Sequence, residues 1–213
     1  MQNVEEKVAK GLLDIEAVFL RPGEPFTWTS GIKSPIYCDN RLTLTSPEVR
    51  NLIEESLAEV VREKFPEADV LMGTATAGIP HAAIVGHLLD MPMGYVRGSA
   101  KAHGRTNQIE GRLESGDKVV VVEDLISTGG SSLDAVDALR DAGAEVLGII
   151  SIFSYGMQRA KDNMKAHDVE LVSLSNLDAL VHVAHDEGYI KEEDIKKILM
   201  FRDNPADESW IHA

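Results

Sequence analysis

Residues 119–132 read VVVVEDLISTGGSS, and this stretch decides the fold. A strand with one wet face alternates apolar and polar residues. A near-continuous valine run instead marks a central parallel strand, buried on both faces. Two adjacent carboxylates, Glu123 and Asp124, end the run. Leu125 and Ile126 follow, then the small residues Ser127, Thr128, Gly129, Gly130 and Ser131. A glycine-rich turn from strand to helix presents open backbone N–H groups and the positive end of the helix dipole, which together hold phosphate. The turn matches neither G-x-x-x-x-G-K-[ST] nor G-x-G-x-x-G, and Ser, Thr and Gly also build tight turns that bind nothing. The acids say more. A buried, unpaired carboxylate is costly, so this pair faces solvent, a metal or hydroxyl groups. A sugar diol beside a phosphate satisfies both halves of the stretch. Capping of a neighbouring helix, or pairing with lysines, is the other reading of the same two residues.

Outward from that strand the chain alternates between strands and helices. ADVLMG, PMGYVR, GDKVVVVED, AEVLGIISIF and DVELVSL read as strands. GIPHAAIVGHLLD, GGSSLDAVDALRDAG, SNLDALVHVAHDEG and KEEDIKKILMF read as helices. The alternation predicts an α/β fold, a doubly wound central parallel sheet flanked by helices, in a single domain over 1–213. Before it, SPEVRNLIEESLAEVVREKF is an amphipathic helix with Pro47 at its first position. The spacing of Val4, Val8, Leu12, Ile15 and Phe19 predicts a helix over 3–19. RPGEPFTWTSGIKSPIYCDNR predicts turns and short strands, with residues 1–45 contributing a small N-terminal hood.

Ligands of such sheets gather at the loops beyond the carboxyl ends of the strands. Here those loops are TATAGIP, the long segment 98–116, EDLISTGG and SYGMQ. A segment as long as 98–116 inside a compact domain points to a mobile catalytic lid. Arg97, Lys101, His103 and Arg105 gather positive charge there, in a chain whose net charge is -14. A basic arm is how so acidic a protein would hold a polyphosphate.

That charge argues against nucleic acid as a partner. No apolar run approaches the roughly 20 residues that cross a bilayer, so no membrane partner is expected. MQNVEEKVAKGLLD mixes acids with apolar residues and lacks the core of a secretion signal. Cys38 is the single cysteine, which leaves no disulfide within the chain and fits the cytoplasm. Cys38 has no basic partner in sequence and reads as a packing residue. His81 and His87 are six apart on one helix and share no face; His182 and His185 lack further ligands. Trp28 suits either a ligand pocket or the core of the hood.

VVVVEDLISTGGSS resembles the phosphoribosyl-pyrophosphate (PRPP) signature of type I phosphoribosyltransferases. FTWTSGIKSPIYCDNR, GTATAGIPHAA and YVRGSAKAHGRTNQIEG resemble the orotate phosphoribosyltransferase family along essentially the full chain. The resemblance implies transfer of the phosphoribosyl group from PRPP to orotate, giving orotidine 5'-monophosphate and pyrophosphate. It implies that Ser127, Thr128, Gly129, Gly130 and Ser131 hold the 5-phosphate, within a PRPP site running from Glu123 through Leu125 and Ile126. Glu123 and Asp124 fall on the ribose hydroxyls, and Arg97, Lys101 and His103 on the pyrophosphate. Lys101, His103 and Asp124 are the catalytic candidates, and Ser127 also approaches orotate. Mg²⁺ is carried by PRPP, and the partners implied are PRPP, orotate and a second copy of the chain, with the loop shared across a homodimer interface.

Gly98, Ala77 and Thr29 stand where some members carry basic residues, and SYGMQ lacks an arginine that contacts orotate in some. Orotate's carboxylate is then assigned to Lys33, Arg41 and backbone amides. Transfer to another base, or non-catalytic sensing of PRPP, are the alternatives. The basic loop and GIKSPIYCDNR favour orotate.

Overall fold

The computed structural model describes residues 3–28, 31–98 and 108–213. In chain order these form α1 (Val4–Asp14), β1 (Val18–Leu20), β2 (Phe26–Thr27), β3 (Lys33–Ser34) and β4 (Ile36–Cys38). A 3-10 helix (Asn40–Thr45), α2 (Pro47–Lys64), β5 (Val70–Thr74), α3 (Gly78–Leu89), β6 (Met93–Val96) and β7 (Ile109–Glu110) come next. Then follow β8 (Lys118–Ile126), α4 (Gly130–Asp141), β9 (Glu145–Ser154), α5 (Gln158–Ala166), β10 (Glu170–Asn176), α6 (Leu177–Asp186), α7 (Glu192–Asp203) and a 3-10 helix (Glu208–His212).

The main sheet runs β10-β9-β8-β5-β6-β7, parallel except for β7, which pairs antiparallel with β6. From β5 the chain crosses to β6 on one side, then returns to place β8 on the other. The loops after β5 and β8 therefore diverge and leave a crevice at the carboxyl edge, the switch point of a doubly wound sheet.

All of Val119–Val122 are fully buried. Val120 and Val122 pack with Leu12, Ile53, Leu57 and Val85 of α1, α2 and α3. Val119 and Val121 pack with Leu133, Val136 and Leu139 of α4. Each side chain so buried contributes about 1.5–3 kcal/mol, which is what fixes β8 at the centre.

Three elements depart from the sequence expectation. The first helix stops at Asp14 rather than reaching 19. Glu16 adopts φ of +56°, turning the chain, and Phe19 sits in β1 opposite Tyr37; Val4 is 47% exposed. Helix α5 is absent from the sequence pattern, because QRAKDNMKA buries only Ala160 and Met164, too thin a stripe to read by periodicity. Within 98–116, Ile109–Glu110 is the edge strand β7, not loop.

Small antiparallel pairs, β1 with β4 and β2 with β3, lie N-terminal to α2. A chain of rings joins them to the body. Phe153 meets Tyr155 edge-on at 5.9 Å, Tyr155 stacks on Trp28 at 5.6 Å, Trp28 meets Phe201 at 5.6 Å and Phe201 meets Trp210 at 5.7 Å. Such pairs each add about 0.5–1.5 kcal/mol beyond their buried area.

Candidate active site at the carboxyl edge of the sheet

Strand β8 carries the acid pair straight out of the core, because its ladder with β9 continues through Ile126. Glu123 is only 6% exposed. Its Oε2 accepts from Ser132 Oγ at 2.9 Å and its Oε1 from the Asp124 N–H at 2.9 Å. Asp124 is half-buried beside it. Burial, and then the hydrogen bond and charge of Glu123, push the Asp124 carboxyl up to about 7. The Asp124 carbonyl accepts from Asn40 Nδ2 at 2.7 Å, and Asn40 Oδ1 accepts from the Cys38 thiol at 3.2 Å.

Beyond the acids, Ser127–Gly129 turn the chain into α4. Helix α4, like α2, α3 and α5, has no side-chain cap. What sets it apart is its place at the carboxyl edge directly after the acids, where its first amides are open to an anion. Gly129 makes the turn possible: its φ is +80°, and a Cβ there would lie 2.5 Å from Met164 Cε. Asn163 Nδ2 donates to the Thr128 carbonyl at 2.9 Å, tying the turn to α5. On the other wall of the crevice, α3 begins at Gly78, where a Cβ would run into the Val122 carbonyl. Only glycine lets α3 approach β8 this closely.

A cavity of about 360 Å³ opens beside the acids. Trp28, Tyr37, Cys38 and Tyr155 line it together with Leu125 and Ser127. Trp28 thus serves both readings of its position, ring packing and cavity wall. Thr27 also lines this cavity, and its Oγ1 accepts from Lys33 Nζ at 2.7 Å, which puts Lys33 at the rim. Arg41 is exposed and forks onto Asp39, Nε to Oδ1 at 2.7 Å and Nη2 to Oδ2 at 2.8 Å. The Asp39 carboxylate, with smaller contributions from Tyr37 and Asp124, raises the Arg41 guanidinium. Arg97 Nη2 lies 2.8 Å from Glu110 Oε1, so its charge is engaged by β7. Lys101 and His103 lie outside the described residues.

The structure brings together Glu123, Asp124, Leu125, Ser127 and the start of α4. Lys33 and Arg41 stand at the margin. Ile126 is wholly buried and serves the core. Sequence reasoning missed Asn40, Ser132, Tyr37 and Tyr155. Asn40 meets Asp124 across 84 positions, a link no local pattern carries. Ser132 was within reach, since it sits one helical turn into α4. Among the described residues, no cluster of three or more His, Cys, Asp and Glu side chains is arranged to hold a metal ion.

A switch-point crevice with an acid pair on one strand end and an uncapped helix on the next turn defines a protein that handles a sugar phosphate. The chain belongs to the phosphoribosyltransferase family: the phosphoribosyl transferase domain matches residues 43–187. The particular relatives narrow this further. It is 59% identical over 208 residues to the orotate phosphoribosyltransferase of Listeria innocua, covering 98% of this chain and 99% of that one. It is 56% identical over 210 residues to that of Bacillus cereus, covering 99% and 100%. The solved orotate phosphoribosyltransferase of Aeropyrum pernix superposes with a TM-score of 0.75 at 30% identity, over 86% of this chain and 99% of that one.

Proposed function

We propose that the protein transfers the 5-phosphoribosyl group of PRPP to orotate, releasing pyrophosphate and forming orotidine 5'-monophosphate. One observation carries this reading. The acid pair, the uncapped start of α4 and the ring-lined cavity meet at Ser127, in a chain that matches orotate phosphoribosyltransferases along nearly its whole length.

The 5-phosphate rests on the amides and hydroxyls of Ser127–Ser131. The ribose hydroxyls donate to Glu123 and Asp124, and the base occupies the neighbouring cavity. As the C1–oxygen bond to pyrophosphate breaks, positive charge grows on the ribose, and an ionised Asp124 nearby favours it. The ring nitrogen N1 of orotate forms the new bond to C1, its proton passing to the departing pyrophosphate, which completes the exchange.

Mg²⁺ would be brought by PRPP rather than by an all-protein cage, since it favours substrate phosphates. The negative charge concentrated at Glu123 and Asp124 suits a ligand that arrives bearing a cation. The ion's chemistry there would be to offset negative charge on the leaving group. Lys101 and His103 belong to the same role, in a homodimer whose basic segment reaches the neighbouring site, and the single thiol fits a cytoplasmic enzyme.

The test is direct. Orotate, PRPP and Mg²⁺ are incubated with the protein and the loss of orotate absorbance is followed, with uracil and purine bases in parallel. Consumption of orotate at the highest rate is expected. Faster use of a purine, or no use of orotate, would overturn the reading.

A further inference from the structure

The cavity beside the acid pair contains no cationic side chain among its described lining residues. Among the described residues, Lys33, held on Thr27, and Arg41, held on Asp39 near Tyr37, stand at its margin. An anionic base buried in this cavity needs a donor inside it, because an unpaired charge out of water is expensive.

The candidates are few. Thr27 and Tyr37 are exposed, Tyr37 by 43%, so water already satisfies their hydroxyls. The Cys38 thiol already donates to Asn40, and Ser127 stands where the cavity meets the turn, so its hydroxyl is shared with the phosphate. Tyr155 differs from all of them. It is 3% exposed, and its hydroxyl makes no hydrogen bond among the described residues. Its ring is held on two sides, edge-on to Phe153 at 5.9 Å and stacked on Trp28 at 5.6 Å.

We propose that Tyr155 is the specificity-determining residue for the base, its hydroxyl donating to the carboxylate of orotate from within the ring-lined cavity. The assignment rests on the orotate reading above. Burial, with smaller contributions from Cys38, Tyr37 and Asp124, pushes the phenol well up, so it stays protonated and remains a donor. The ring contacts set its direction before the ligand arrives, so little order has to be gained on binding. A base without the carboxylate leaves the hydroxyl unpaired in a buried site, which is how hydrogen-bonding pockets reject such analogues.

Tyr155→Phe removes the hydroxyl and keeps both ring contacts. The KM for orotate should rise on the order of 10- to 100-fold, the range for losing one hydrogen bond to a charged group. The preference for orotate over uracil should fall by a similar factor. The KM for PRPP should hold, and the melting temperature should stay within about 2 °C. With an active wild type, an unchanged KM for orotate overturns the assignment. So does a uniform loss in kcat and both KM values with a lower melting temperature, which marks a packing role only. A wild type that leaves orotate unconsumed overturns the activity reading, and this assignment falls with it.

Discussion

Among the described residues, two carboxylate sites are withdrawn from water, and they are held in opposite ways. Glu54 on α2 is 1% exposed and meets Nδ1 of His81 on α3 at 2.5 Å, in a contact sealed between two helices. Burial raises its pKa, and the hydrogen bond and charge of His81 pull it back. Its second oxygen and His81 Nε2 have no hydrogen-bond partner among the described residues, so the pair relies on its one mutual contact and on the charge of Arg50 nearby. At the end of β8 the neighbour of Asp124 is another acid, and burial and that acid both raise it, to about 7. The helix pair supplies its own compensating group. The strand end keeps two acids side by side at an open crevice, with Glu123 held by Ser132 and the Asp124 N–H and, among the described residues, no cationic side chain paired to either. Groups shifted by burial plus a like charge in a cleft are what active sites collect.

The sharpest way to break this contrast is His81→Ala. It strands Glu54 between α2 and α3, and losing one partner of a buried pair costs about 3–5 kcal/mol. Urea unfolding measures it. A loss under about 1 kcal/mol would put the helix pair on the same footing as a surface contact.

Next comes Asp124→Asn, where kcat/KM for PRPP should fall on the order of 100-fold, as when one group poised at developing charge is removed. The pH profile sharpens the point. Asp124 must lose its proton to accept from the ribose hydroxyls, so wild-type kcat/KM should rise as pH passes through about 7. The inflection should vanish in the variant. A wild-type profile flat from pH 6 to 8 would detach Asp124 from the ribose.

The smallest effect runs the other way. The folded pKa of Asp124 lies above its ordinary 3.8, so the native state prefers the proton. Its cost to stability is absent below the ordinary value, grows as pH rises toward 7, and is constant above that. Asp124→Asn should therefore raise the melting temperature at pH 8 by about 2–4 °C and change little at pH 4. A lower melting temperature at pH 8 would class Asp124 with Glu54, as a carboxylate that holds the fold together.

The same division separates what is legible along the chain from what is hidden in it. VVVVEDLISTGGSS announces the central strand, the acids and the glycine-rich turn into a helix, because all three depend on neighbours in sequence. GTATAGIP and Gly78 announce the second wall of the crevice for the same reason. Helix α5 stays hidden because only Ala160 and Met164 anchor it. The first helix reads too long because β1 supplies apolar residues that continue its spacing.

Local order along the chain therefore dictates which segments become strands, where the loops fall and which residue types crowd the carboxyl edge. Hydrophobic periodicity and turn chemistry act over a few residues, and they need nothing distant to express themselves. Tertiary packing alone decides that Asn40 holds the backbone of Asp124 and that Trp28 from the hood clamps Tyr155. It alone buries the acids at the end of β8 against other segments, which lifts Asp124 beyond what its neighbour in sequence would do. Those outcomes depend on distance and burial between segments far apart in the chain. Side-chain charge and stacking acquire their strength only where the folded protein has excluded water.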